Sequence, residues 1–285
     1  MKPEIKFTSY ADHNFRNSFQ DVRAFLYKDY SIEAHNHDFY EMNVVLKGEG
    51  IHMIENSHIK VKTGDVFVIP PNTVHAYYDT SELDVFHILL RPDFVEENIA
   101  EASATPGFLQ LIEIEPFLRK NVSSRYFLHL SAGKLSQLKS DLLLLEDGGF
   151  FDDDRFVTAK KHAAWKMLFW LSYHLFLQME KEQPSANKYE SNIIKALEYI
   201  HQHYAEKITV DLLCRQVFLS RSTFLRNFTA LCGCTPLCYL NNYRTQKAMQ
   251  MIEAGKFSKT ETAHACGFYD LSHMERVLKS QKSEI

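Results

Sequence analysis

The sequence lacks several features that mark large protein classes. No apolar run reaches the roughly 18 residues of a membrane span, which excludes a helical span. The N-terminus, Met1-Lys-Pro-Glu-Ile-Lys6, holds no apolar signal core, so a cytoplasmic location is expected. There is no low-complexity tract. Cysteine is scarce: the 285 residues hold 5, an odd number, all between Cys214 and Cys266. That count and placement argue against a disulfide framework. Cys232-x-Cys234-x-x-x-Cys238 lacks the spacing and the partner pair of a zinc site. These thiols are read as small buried hydrophobes, with zinc or redox sensing as alternatives. A positive net charge is also missing. The formal charge is −4, which alone gives no sign of a nucleic-acid partner.

Charge distribution says more. From residue 187 onward 13 Lys/Arg stand against 9 Asp/Glu; before it, 19 stand against 27. A mildly basic C-terminal part after an acidic N-terminal part fits DNA contact at one end only. At 45% hydrophobic and 24% charged, the composition is that of an ordinary globular protein, and the length suffices for two domains.

Residues 1–92 carry short runs rich in Val, Ile, Phe and Tyr: Val22–Leu26, Tyr40–Leu46, Gly50–Ile54, His58–Val61, Val66–Ile69, Val74–Tyr78 and Val85–Leu90. Turn clusters such as Lys47-Gly-Glu-Gly50 separate them. The pattern predicts a β-sandwich or small barrel around one ligand-sized cavity. Inside it lie His35-Asn-His37-Asp-Phe-Tyr-Glu41 and Gly64-Asp-Val-Phe-Val-Ile-Pro70-Pro-Asn-Thr-Val-His75. His35 and His37 share a strand face, and Glu41 has their parity. Three imidazoles and a carboxylate suit Fe, Mn, Ni or Zn. They equally suit a polar ligand such as a sugar, with Phe39, Tyr40, Tyr77, Tyr78 and Phe86 as candidate flat walls. A barrel with no ligand is the third reading. The two segments resemble the signature motifs of the cupin barrel, a jelly-roll family. The resemblance puts His35, His37, Glu41 and His75 on that family's metal-ligand positions, with Asn72 where the second motif often has Gly.

Residues 93–182 turn helical. Leu135, Leu138, Leu142 and Leu145 have a 3-4-3 spacing, a seam for a partner helix, and Gly148-Gly149 stops it. A longer apolar-rich helix is predicted from about Asp152 to Glu180. Either the two helices cover the barrel, or residues 131–146 form a homodimer interface. Gln183-Pro-Ser-Ala-Asn187 reads as a linker.

One pattern is then written twice. Ile208–Phe228 and Ser258–Leu278 align with Cys214 on Ala263 and Phe224 on Met274, with one extra turn residue in the second copy. Each reads as a short helix, a tight turn and a second helix. Cys214 and Ala263 allow close helix approach. Val217, Leu219 and Phe268 pin the bends, and Gly267 can take a positive φ. Ser220 and Asp270 have N-cap chemistry. Phe224 with Phe228, and Met274 with Leu278, recur at i, i+4 and should face inward. What remains outward is polar and partly basic: Arg221, Ser222, Thr223, Arg226, Asn227, Ser272, His273, Glu275 and Arg276. A helix-turn-helix presents such a face to a major groove. Ordinary helical hairpins are the alternative, and the matching Arg226 and Arg276 count against it.

The region from about Ile193 to Lys279 resembles the DNA-binding domain of the AraC-type transcription regulators. The resemblance is carried by Ile200 and Tyr204, Leu219-Ser-Arg221, Phe228, Gly233-Cys-Thr-Pro236, Tyr239-Leu240, Tyr243-Arg244, Ala248, Gly267-Phe-Tyr-Asp270, Ser272-His273 and Arg276. It implies two helix-turn-helix units joined by a long helix, here Pro236 to Glu253, docking in successive major grooves. About 18 residues at 1.5 Å rise give roughly 27 Å, compatible with one DNA turn of about 34 Å. The family usually continues with another Gly-x-x-Pro and a Tyr-Arg pair. Here Ser280-Gln-Lys-Ser-Glu-Ile285 stands instead, so a less stable or weakly binding second unit is expected.

The expected fold is a multidomain α+β protein. It has a cupin-like ligand-sensing β-barrel (1–92), a helical dimerisation segment (93–182), a linker (183–189) and an all-α domain with two helix-turn-helix units (190–285). The expected function is sequence-specific transcription regulation. Ser222, Arg226, Ser272, His273 and Arg276 are candidate base contacts, and Arg221, Arg244 and Lys279 candidate phosphate contacts. Leu225 and Leu271 would meet thymine methyls or belong to the core. Ligand contacts are expected from His35, His37, Glu41, His75, Tyr40 and Tyr77, with a divalent metal on the first four as the only candidate cofactor. Expected partners are double-stranded DNA, a small effector, a second copy of the chain and, for an activator, RNA polymerase. Two rivals stand: a metal-dependent cupin enzyme, dioxygenase or sugar isomerase, with a helical appendage; and a DNA-binding-deficient relative acting through dimerisation. The duplicated C-terminal pattern has no catalytic reason to exist.

Overall fold

Two long bent strands carry the N-terminal part of the chain. The computed structural model describes residues 6–9, 21–121, 127–149, 153–181, 189–253, 255 and 257–282, so most of the expected linker lies outside the described residues. It divides into two units, Met1–Gln183 and Pro184–Ile285. In the first, β1 (Lys6–Thr8), β2 (Val22–Tyr27), β3 (Ile32–His37), β4 (Tyr40–Ile54), β5 (Ser57–Lys62), β6 (Asp65–Ile69), β7 (His75–Leu90) and β8 (Leu128–His129) form one sheet. Its order is β1-β3-β7-β4-β6-β8, with β2 on β7 and β5 on β4. The runs expected as separate strands in 40–54 and in 74–90 are each one continuous strand. The β4–β7 register shifts around Lys47 and Glu49. There a Cβ on Gly48 (φ 80°) would lie 2.2 Å from the Glu82 carbonyl oxygen, so only glycine fits. The sheet is of jelly-roll type, and its hydrogen-bonded path does not close among the described residues.

Side chains alternate between two environments along these strands. Tyr40, Met42 and Val44 of β4, Val66 and Val68 of β6, and Phe86, Ile88 and Leu90 of β7 share one core with the helices. Val45, Val61, Phe67, Tyr77, Leu83 and Val85 form a separate cluster. Interleaved with the first set on β4 and β7 are the buried Glu41, Asn43 and His87.

The helices α1 (Pro92–Glu96), α2 (Ile99–Ala102), α3 (Glu115–Asn121), α4 (Ala132–Leu145) and α5 (Val157–Lys181) follow, and a π-helical turn, Gln110–Ile114, leads into α3. Leu135, Leu138, Leu142 and Leu145 of α4 are all buried in the sheet's core, together with Met167, Leu168, Leu171 and Leu175 of α5. The seam therefore has an internal partner. Residues 93–182 belong to the same compact unit as the sheet. Asp147 fastens the arrangement: it accepts from Arg23 Nε (2.5 Å) on β2 and Lys160 Nζ (2.7 Å) on α5. From α3, the fully buried Arg119 places its Nε 3.0 Å from Glu115 and its guanidinium 5.0 Å over the Phe67 ring.

The second unit holds α6 (Glu190–His203), α7 (Val210–Gln216), α8 (Arg221–Cys232), α9 (Pro236–Glu253), α10 (Lys259–Ala265) and α11 (Leu271–Lys282). The two copies repeat in detail. Both first helices end in a Schellman motif. Phe218 and Leu219 donate to the Arg215 and Cys214 carbonyls; Gly267 and Phe268 donate to those of His264 and Ala263. Ser220 caps α8 by accepting from the Thr223 amide, and Asp270 accepts from the His273 amide at 2.7 Å. Phe224, Phe228 and Met274 are fully buried. Leu278 and Leu271 pack half-buried against Ala248, Ala263, Cys266, Phe268 and Met274. The second copy thus has its own core, completed by α9 and Tyr204. Cys214, Cys232 and Cys266 are buried, as small hydrophobes should be; Cys238 is exposed, contrary to that expectation.

The end of α6 is the joint between the copies. Arg244 of α9 donates to the Tyr204 and Glu206 carbonyls, both at 2.7 Å. A Cβ on Gly267 (φ 76°) would lie 2.6 Å from the Ala205 carbonyl oxygen, whereas one on Gly233 (φ 72°) meets nothing. Gly233→Ala should therefore cost about 1–2 kcal/mol through backbone conformation alone, and Gly267→Ala clearly more. Urea unfolding of both variants checks this order; an equal loss would mean that the turn does not pack on α6.

Candidate effector pocket and DNA-reading helices

A cavity of about 170 Å³ opens beside Glu41. Phe25 and Tyr27 of β2, Tyr30 and Phe39 supply its aromatic walls; His35, His37, Glu41, His87 and Lys6 supply polar groups. The alternation of β2 explains the walls: Val22 and Ala24 go to the helix core, Phe25 and Tyr27 to the cavity. Two expected ligand residues are corrected. Tyr40 packs in the helix-facing core, since it neighbours Glu41 on the strand and points the other way. Tyr77 is fully buried outside the lining; its hydroxyl accepts from Asn43 Nδ2 at 3.0 Å and its ring stacks on His52. Phe86 also belongs to the helix core, and Tyr78 bonds His58 at 2.7 Å.

The histidines are oriented by main-chain carbonyls. His35 Nδ1 bonds the Glu33 oxygen (3.0 Å), His37 Nδ1 that of Phe39 (2.8 Å), and His75 Nδ1 that of Thr73 (3.1 Å). A carbonyl only accepts, so Nδ1 carries the proton on each ring and Nε2 holds a lone pair in the neutral form. His37 Nε2 and His75 Nε2 lie 3.0 and 3.6 Å from Glu41 Oε2. His87 Nδ1 donates to Glu41 Oε1 at 2.8 Å. Burial disfavours the Glu41 charge; hydrogen bonds from His37, His75 and His87 hold its carboxyl well below the usual range, which for His37 and His75 takes a proton on Nε2 as well as on Nδ1. An anion facing lone pairs calls for a cation, a second proton on a ring, or donor groups of a ligand.

That donor set fits a divalent transition metal. His35, Glu41 and His75 each offer a ligand atom, all within 4.8 Å of one another. Ring N–H bonds to main-chain carbonyls are the usual outer support of metal-binding histidines. His37 bonds toward Glu41 and stands outside that set of three. Sequence reasoning missed His87, Phe25, Tyr27 and Tyr30. For His87 the signal was a lone imidazole amid the alternating apolar residues of Val85–Leu90.

In the second unit Arg226, Ser222, Ser272 and Arg276 are exposed on α8 and α11, as a reading face requires. Arg221 is exposed and paired with Asp211 at 2.5 Å. His273 is half-buried, its Nδ1 accepting from the Tyr269 amide at 3.4 Å. Two polar residues are internal. Asn227 is buried and donates to the Thr223 carbonyl. Arg244, expected at phosphate, is buried because both carbonyls at the end of α6 claim its guanidinium.

Residues 21–146 match the AraC-like ligand binding domain, and residues 213–284 match a helix-turn-helix domain. The chain belongs to the AraC-type transcription regulators. It is a sequence-specific DNA-binding regulator with a ligand-binding domain, and the metal-enzyme reading falls with the match to regulators. The chain is 24% identical over 250 residues to the HTH-type transcriptional activator RhaS of Salmonella schwarzengrund, covering 87% of this chain and 83% of that one. It is 26% identical over 253 residues to RhaS of Pectobacterium atrosepticum, covering 88% and 84%. The solved DNA-binding domain of AdpA in complex with a target DNA is 28% identical over 32% of this chain and 81% of that one, with a TM-score of 0.31. ToxT from Vibrio cholerae is 13% identical over 91% and 93%, with a TM-score of 0.38. The family matches carry the assignment. No described helix is long and apolar enough to cross a membrane.

The interior of this AraC-type regulator also predicts its response to acid. Both nitrogens of the fully buried His52 have no hydrogen-bond partner among the described residues. Burial, then the charge of Arg119, holds the ring well below the ordinary imidazole range. The unfolded chain takes up a proton there as pH falls through about 6.5, while the folded ring stays neutral. Its contribution is therefore complete above that pH and declines below it. The urea midpoint of the N-terminal unit should fall from pH 7.5 to 5.5, and His52→Phe should shrink the fall. An undiminished fall in the variant would clear His52 of any part in it.

Proposed function

We propose that a small polar effector enters the cavity beside Glu41 and biases a homodimeric activator toward one arrangement on DNA. The observation that carries this reading is the convergence of an ionised carboxylate and histidine lone pairs on a space walled by aromatic rings. A polyhydroxylated molecule such as a sugar fits that chemistry. Its O–H groups donate to the carboxylate and the rings, and its C–H faces lie on Phe25, Tyr27 or Phe39. The effector must bind one DNA-competent arrangement more tightly than the other. Relatives bearing the name of transcriptional activator support the activating sense, which implies contact with RNA polymerase, and chromosomal DNA as target implies the cytoplasm. With the α4 seam internal, dimerisation would use another surface.

A second reading is favoured by the three Nδ1–H bonds to carbonyls: His35, Glu41 and His75 would hold a divalent metal, with His37 beside them. The ion would supply a Lewis-acid anchor for effector oxygens. Calorimetry against a panel of sugars and polyols should find a binder that Glu41→Gln weakens at least about tenfold; equal binding by the variant would sink the first reading. Stoichiometric metal in the purified protein, lost in His75→Ala while DNA binding persists, would favour the second.

On DNA, Arg226 and Arg276 would pair with guanine edges, Ser222 and Ser272 would contact bases beside them, and Arg221 and Lys279 would hold phosphates. Arg226→Ala should relax specificity at one base-pair position by roughly 10- to 100-fold. Binding assays over single-position operator variants check this. Uniform weakening across all variants would make Arg226 a phosphate contact instead.

A further inference from the structure

The two most exposed large apolar side chains among the described residues sit one in each turn of the duplicated motif. Phe218 is 93% exposed and Tyr269 85%; the next, Leu143, is 62% exposed. Phe218 lies two residues before Ser220, the cap of α8; Tyr269 lies one before Asp270, the capping residue of α11. Each ring thus stands in the turn that feeds a reading helix.

Phe218 is also strained. It holds φ 55°, the left-handed conformation that its counterpart Gly267 holds at 76°. A bulky residue rarely adopts this region. In the second unit the Ala205 backbone bars any Cβ from the position, and the aromatic residue follows two places later. In the first unit the position bears a ring directly. A glycine at 218 would relieve the strain and remove exposed apolar surface, so the folded unit alone gives no reason for phenylalanine. Strain held in an exposed turn points to a partner.

We propose that Phe218 and Tyr269 are DNA-contacting residues. Each ring packs on apolar surface of the duplex, deoxyribose or a thymine methyl, at the lip of the groove that α8 or α11 enters. The recurrence of an exposed ring in the turn of each copy argues for DNA as the occupant. A protein partner has no reason to meet both copies of a motif at the same turn, whereas a duplex presents the same surface once per helical turn. The charge agrees: exposed Arg215 and Arg221 flank Phe218 on either side.

The test uses the full chain and duplexes that the wild type selects from a random pool. Phe218→Gly and Tyr269→Ser should each weaken binding roughly 5- to 20-fold, and the double variant more. Phe218→Gly should raise the thermal midpoint at the same time. The slope of log affinity against log salt should stay constant, because no phosphate neutralisation is lost. Duplexes with uracil for thymine separate the two surfaces. Loss of the Phe218 effect on them assigns a methyl contact; persistence assigns the sugar. Affinities within twofold of wild type in both variants would overturn the proposal, and so would a loss accompanied by a salt slope lower by about one unit. Unchanged affinity with lost activation in a reporter strain would assign the rings to a protein partner and overturn it too.

Discussion

A carboxylate inside a protein needs donors or a cation around it, and Glu41 is inside. That requirement organises the N-terminal unit. The strand parity that buries Tyr40 and Met42 against the helices sends Glu41 and Asn43 the other way. The register that sets Glu41 opposite Leu89 puts His87 two residues along on β7, and the pairing of His35 with His75 brings the remaining imidazoles together. The main chain then fixes each ring with a carbonyl, leaving lone pairs toward the acid. An apolar sheet could fold without any of this. The polar cluster is retained at an energetic disadvantage, which is the mark of a site meant to receive something.

The helices serve the same end from outside. Their leucine seam and the Asp147 staple hold the back of the sheet, and Arg119, paired with Glu115, lies over Phe67 of the other cluster. Glu115 is pushed up to about 7 by burial, against the opposing pull of Arg119, so this pair too carries polar groups where water is excluded. The sheet's two faces therefore divide the labour. One is sealed by apolar contact, and the other gathers titratable groups around a cavity.

Much of this was legible in residues, and the failures have physical causes. The duplicated C-terminal pattern was readable because caps, small residues and i, i+4 pairs act locally; Ser220, Phe224, Gly267 and Met274 sit where those rules put them. The His-x-His…Glu…His trace was readable because it lies within short strands. Burial partners were not. The 3-4-3 leucines of α4 require a partner helix, and nothing local says whether it belongs to the same chain. Arg244 looked like a phosphate contact because its charge was visible and the Glu206 and Tyr204 carbonyls that claim it were 38 and 40 residues away. Tyr40 was misplaced as a wall by one residue of parity, the smallest error that turns a side chain to the opposite face.

The joint at the end of α6 has a consequence for the genome. Arg244 ties α9 to the carbonyls of Tyr204 and Glu206, and Gly267 seats the second turn against Ala205, so the two α-helical readers form a caliper with a fixed gap. A caliper measures before it reads. Adding half a turn of duplex between the two subsites, about five base pairs, would carry one of them to the far side of the helix with every contacted base intact. On the proposed reading of both copies, a promoter is constrained in the length of an uncontacted spacer as well as in the letters on either side of it.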